Sequence, residues 1–268
     1  GRGIISQTQI STVHTAFNIA TTVLLFPASG LIVKLAKKIS GVKDEVEEEG
    51  VVSLDDRMLQ TPALALQATV GEVERMGEIV QGTMDIAKRV LFTQSQEEID
   101  LLKSEEKRVD QMCSAITEYA IKLTSLQITE KEHQNVAKLL QVVSDIERVC
   151  DYCENIAEYA QEMLNKKLHF SEMGQVELKE MIDVCDDCYR YALEAFLKHD
   201  KEMALKVVEK ETHADDLEIK LRAKHIKRLT NNQCNTEAGI MFLDTIVSLE
   251  RISDHARNIA EEVLAEIA

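Results

Sequence analysis

One stretch of about fourteen residues occurs twice in this chain. DIERVCDYCENIAE spans Asp145 to Glu158, and SLERISDHARNIAE spans Ser248 to Glu261, an offset of 103 residues. Glu147, Arg148 and Asp151 recur as Glu250, Arg251 and Asp254, and Asn155-Ile156-Ala157-Glu158 recurs as Asn258-Ile259-Ala260-Glu261. A repeat at a fixed distance constrains a fold more than any local pattern does, because both halves must build the same unit.

Both copies read as helix. Leu139, Val143, Ile146, Cys150, Cys153, Ala157, Ala160 and Leu164 recur at steps of three and four and make one apolar stripe. Glu147, Asp151, Glu154 and Glu158 make a second, acidic stripe beside it. Glu147 and Asp151 stand one turn apart, about 6 Å along the axis, so one ligand can reach both. Arg257 stands where the first copy has Glu154.

Helix start signals divide the rest. Thr61-Pro62 opens a helix to about Phe92, and Ser95-Gln96-Glu97-Glu98 has capping-box spacing and opens another to about Thr124. Thr129 to Glu132 repeats the box and opens the third, Phe170-Ser171 the fourth, Asp200 the fifth and Thr236 the sixth. Only two prolines and ten glycines interrupt the chain, and Glu, Lys, Leu and Ala abound. The expected fold is all-α: a tandem repeat of two three-helix bundles, repeat 1 over 61–168 and repeat 2 over 169–268, since an amphipathic helix cannot bury its stripe alone.

The second helix of each trio carries its own acidic pair, Glu106 with Asp110 and Glu211 with Asp215. Each bundle therefore offers two Glu-x-x-x-Asp pairs. A lone pair is ordinary helix surface, its repulsion only about 0.7 kcal/mol in water. Four pairs at matching repeat positions point to cation binding by Glu106, Asp110, Glu147, Asp151, Glu211, Asp215, Glu250 and Asp254. An all-oxygen donor set suits magnesium, calcium, manganese, iron or zinc. The Glu-x-x-His ligands of di-iron oxidases are missing, and His255 is matched by Tyr152, so no catalytic residues are assigned. Arg148 and Arg251 read as salt-bridge partners of their neighbours. Cys150-x-x-Cys153 and Cys185-x-x-Cys188 have zinc-site spacing, but they lie mid-helix without turns and read as small packing residues. The net charge of −16 excludes a nucleic-acid partner, which requires a basic face.

Residues 1–43 differ in kind. Gly3 to Val33 contain no Asp, Glu, Lys or Arg, a length that suits a bilayer, yet His14, Asn18 and Pro27 interrupt them. They are expected to form one transmembrane helix of a polytopic bundle, with Lys34, Lys37, Lys38 and Lys43 marking its cytoplasmic end. An acidic linker over 44–60 follows. Residue 1 is glycine, and the chain reads as a fragment or a processed product.

The repeated LERIxDxxxNIAE pattern resembles the PhoU family from about Leu54 onward. That resemblance implies multinuclear iron, zinc or divalent-metal clusters held by the eight acids named above. Cys150 departs from the family's usual glycine. VHTAFNIATTVLLFP and LDDRMLQTPALAL look like the C-terminal part of bacterial sodium/phosphate cotransporters. This implies a multi-pass inner-membrane protein with a cytoplasmic PhoU-like regulatory domain, whose partners are sodium, inorganic phosphate, the membrane and a second copy in a homodimer. The glutamine-serine repeats of the transport site are absent. The alternative is a phosphate-signalling adaptor with no transport activity of its own.

Overall fold

A computed structural model describes residues 53–265. A short 3₁₀ helix, Asp56–Gln60, leads into six α-helices: α1 Pro62–Thr93, α2 Gln96–Thr124, α3 Glu130–Lys166, α4 Glu172–Lys198, α5 Lys201–Thr230 and α6 Thr236–Leu264. The expected membrane segment, 1–43, lies outside the described residues. Among those described, no helix is long and apolar enough to cross a membrane, because each carries a charged face beside its apolar one.

The starts follow from capping chemistry. At Thr129 a full box forms, with Oγ1 accepting from the Glu132 N–H at 3.3 Å and the Glu132 carboxylate accepting from the Thr129 N–H at 2.7 Å. Ser171, Asp200 and Asn235 cap α4, α5 and α6 through their side-chain oxygens. Ser95 makes no such bond, although its spacing predicts a box. Glu98 turns instead to Thr93 Oγ1 at 2.7 Å and Arg89 Nε at 2.7 Å. The ends use left-handed residues without glycine: Gln94, Lys167 and His199 close α1, α3 and α4 at φ of 50–54°.

The helices pack as two trios, α1–α3 and α4–α6, with each helix against both others of its trio. Across the halves α3 packs on α6 and α1 on α4, while α2 and α5 find their main partners within their own trio. The repeated stretches thus meet at the centre. Tyr152 of α3 and His255 of α6, at equivalent positions of the repeat, stack with centroids 5.7 Å apart.

α3 is buried on more than the one stripe read from its sequence. Val142, Val149, Ile156 and Met163 are covered as well as Val143, Ile146, Cys150, Cys153 and Ala157, since α1, α2 and α6 all pack on it. Burying each large aliphatic side chain stabilises the fold by about 1.5–3 kcal/mol. At the α1–α4 crossing, a Cβ on Gly77 would stand 2.4 Å from Leu193 Cδ1, so any larger residue must push that leucine side chain aside, and the buried Tyr189 hydroxyl donates to the Gly77 carbonyl at 3.1 Å.

Candidate metal centres

The acidic pairs of the two halves lie in separate clefts, one between α2 and α3 and the other between α5 and α6. In the second, Glu211 and Asp215 of α5 face Asp254 of α6, and one carboxylate oxygen from each lies within 4.8 Å of the others. Glu250 stands one turn before Asp254. Burial pushes the Glu250 carboxyl up, and the charges of Asp254, Asp215 and Glu218 push the same way. Burial also raises Asp215, helped by Glu211 and Asp254.

One cation is already built into this cleft. Arg257 Nη1 donates to both oxygens of the buried Glu211 at 2.9 Å. Arg251 bridges its neighbours on the outer side, donating to Asp254 Oδ2 at 3.1 Å. Arg148 treats Asp151 the same way in the first half, also at 3.1 Å. Both follow the salt-bridge reading of these arginines.

The first half has the same acids on the same helices, spread more widely. Among the described residues, no three of them close to the distance seen in the second half. They still feel one another. Burial raises the Glu106 carboxyl, with Glu154, Asp110 and Asp151 adding to it. Burial raises Glu147, with Asp151 and Asp110 adding, and it raises Asp151 against the pull of Arg148. Glu154, which takes the place of Arg257, is raised by burial and by Glu158. Here the arginine beside the acids is Arg148, which pairs with Glu147 and Asp151 along α3 itself.

A cation fits this chemistry. Asp215 Oδ1 is buried and has no hydrogen-bond partner, an acceptor that costs about 1–3 kcal/mol while unmet. It stands within the closest carboxylate set, and all donors there are oxygen. Glu211, Asp215, Glu250 and Asp254 would hold a hard or borderline ion in one half, and Glu106, Asp110, Glu147 and Asp151, with Glu154, in the other. The cysteines take no part. Cys150, Cys153, Cys185 and Cys188 are free, buried thiols, and burial holds Cys188 up at about 12 and the other three far above the ordinary thiol range.

Sequence reasoning missed one residue of consequence. Asp145 is 2% exposed and accepts three hydrogen bonds: Gln141 Nε2 at 3.0 Å, Asn258 Nδ2 at 3.0 Å and His255 Nδ1 at 2.8 Å. Burial opposes its charge, but these bonds outweigh burial and hold its carboxyl below the usual range. It ties the first motif to the second across the α3–α6 seam. The available signal was an aspartate among apolar residues on the covered side of the helix.

Comparison with known proteins agrees with this architecture. The model of the PhoU domain matches residues 73–160 and again 178–263. The putative inorganic phosphate export protein YjbB of Salmonella typhimurium is 24% identical over 258 residues, 94% of this chain and 47% of the relative. The chain thus spans about half the length of that protein. Homolog 1 of the phosphate-specific transport system accessory protein PhoU from Thermotoga maritima is 26% identical over 195 residues, 67% of this chain and 83% of the relative. The crystal structure of PhoU from Pseudomonas aeruginosa superposes with a TM-score of 0.71 at 22% identity, covering 74% of this chain and 95% of that one. These findings correct the expectation of a multi-pass inner-membrane protein. Relatives covered over most of their length are named accessory proteins, and no described helix has the apolar length to cross a membrane. Two matches in one chain, one on each trio, establish that this protein belongs to the PhoU domain family.

Proposed function

We propose that the chain is a non-catalytic regulator of phosphate transport, an adaptor whose two acidic clefts bind divalent, iron or zinc cations. The observation that carries this reading is the convergence of Glu211, Asp215 and Asp254 around a buried carboxylate oxygen with no partner. Metal bound there would neutralise the clefts and fix α2 on α3 and α5 on α6. The outer face so formed would be read by a phosphate-transport partner, as the names of the accessory-protein relatives suggest.

Metal content of protein purified without chelator tests the reading directly. Glu250→Ala/Asp254→Ala and Glu147→Ala/Asp151→Ala should each lose the ions of one half, and the quadruple variant should lose both sets. Full metal content in the quadruple variant would return these acids to surface decoration. Regulation is tested by phosphate flux in cells carrying or lacking the chain.

A second reading makes the chain the regulatory part of a larger phosphate-transport protein. It is favoured by the alignment to YjbB, which covers 94% of the chain and so takes in most residues before Ser53. The narrower form, a sodium-coupled cotransporter, is tested by phosphate flux through the intact gene product in sodium and in potassium. Equal flux in both removes it.

A further inference from the structure

The C-terminal part of α5 differs in charge from the rest of the chain. Leu217 to Leu229 hold five Lys or Arg residues and a single acid, Glu218, in a protein of net charge −16. Part of this charge is turned inward. Arg222 pairs with Glu218 on the same helix, and Arg228 and Lys224 reach Glu177 of α4. Lys220 and Lys227 are exposed and have no acidic partner among the described residues.

The same turns carry apolar groups that the core does not use. Leu217, Leu221 and His225 are the buried stripe that packs α5 on α4 and α6. Ile219 and Ile226, seven residues apart, lie on the outward face, 64% and 49% exposed, with exposed Ala223 between them. At 100° per residue, Lys220 and Lys227 border this ridge on one side and Arg222 on the other. One exposed isoleucine is ordinary surface. Two in register, between cations, on an otherwise acidic chain, form a basic amphipathic face. It ends toward the start of α5, where Glu202, Glu209 and Asp216 are exposed.

The ridge is convex, being the outer side of a helix whose inner side is packed. A protein partner would have to offer a fitted pocket to each isoleucine. A bilayer needs none, since acyl chains flow around an inserted side chain and lipid phosphates accept lysine ammonium groups without fixed geometry. Anionic lipid repels the acidic remainder of the surface, so the ridge would also set the orientation.

We propose that this ridge docks the protein peripherally on an anionic lipid bilayer, with Ile219 and Ile226 entering the acyl boundary and Lys220 and Lys227 among the headgroups. The surface does not depend on the acidic clefts or on what they bind.

The test is binding of the full chain to phosphatidylglycerol/phosphatidylcholine vesicles and to pure phosphatidylcholine vesicles. A chelator keeps cations from bridging the clefts to lipid. Gly3 to Val33 carry no charge, so retention alone is not the readout. The readouts are dependence on anionic lipid and the position of the contact, read as broadening of isoleucine methyl signals by spin-labelled lipid. Ile219 and Ile226 should broaden on anionic vesicles, and Ile121 and Ile240, exposed elsewhere, should not. Binding should weaken with added salt. Lys220→Glu/Lys227→Glu should bind about a hundredfold more weakly, and Ile219→Gln/Ile226→Gln about tenfold. Leu205→Gln, at an exposed apolar position near the start of α5, should bind as the unmodified chain does. Equal binding to both vesicles, broadening centred away from Ile219 and Ile226, or undiminished binding by the lysine variant overturns the proposal.

Discussion

The two clefts descend from one repeated sequence, yet they handle negative charge differently. The second brings three carboxylates together and gives one of them, Glu211, an arginine. The first holds Glu154 where that arginine would be and keeps its acids farther apart. An internal cation offsets part of the repulsion among the acids of the second cleft, and the acids of the first face one another without one. On the proposed reading the second half would be the more preorganised site, and the first would gain more from an added cation.

The largest effect is expected where the halves are joined asymmetrically. Asp145→Ala leaves three donors at the seam without their acceptor and should cost about 3 kcal/mol. In a domain of this size that is a fall in Tm of about 6–12 °C. Ser248, its counterpart in the second half, is buried but accepts no such set, and Ser248→Ala should cost under about 1 kcal/mol. Equal losses in calorimetry would show the seam to be symmetric after all.

Exchange of the charge difference comes next. Arg257→Ala strips the partner from buried Glu211. The arginine side chain is 39% exposed, so the expected loss is about 1–2 kcal/mol rather than the larger cost of a fully buried pair. Added cation should restore most of it. Glu154→Ala relieves repulsion and should leave metal-free stability unchanged or slightly higher, while weakening cation binding in the first half only. Thermal melts with and without metal distinguish the two variants.

The smallest effect is that of pH. Glu106, Glu147, Asp151 and Glu154 in the first half, and Asp215 and Glu250 in the second, all hold protons more tightly when folded. Such groups stabilise the fold when protonated, so metal-free stability should rise as pH falls from 7 toward 5. Asp145 works oppositely, but its contribution is lost only below the ordinary carboxylate range. Glu147→Gln/Asp151→Asn should flatten the profile more than Glu250→Gln/Asp254→Asn. A Tm independent of pH in chelator, or a steeper second half, would contradict the difference drawn between the clefts.

Much of the architecture was legible beforehand. Apolar periodicity and caps place the six helices within a residue or two, because both are local. The start of α2 shows the limit: Ser95 has the right spacing, but Glu98 prefers Arg89, a partner outside the motif. Which acids share a cleft was legible as faces and repeat positions. How nearly they meet depends on how neighbouring helices rotate and approach, which no single helix encodes. Arg257 was visible as a substitution, but its hold on Glu211 was not.

The left-handed closures of the helices carry an engineering consequence. Lys167 ends α3 at φ 54°, where a Cβ is strained and glycine is not. Its backbone N–H, which donates to Leu164 and Met163 carbonyls, survives any substitution but proline. Glycine at this corner would relax the turn by up to about 1 kcal/mol without touching either cleft, giving a sturdier scaffold in which weakened charge variants remain folded long enough to be measured.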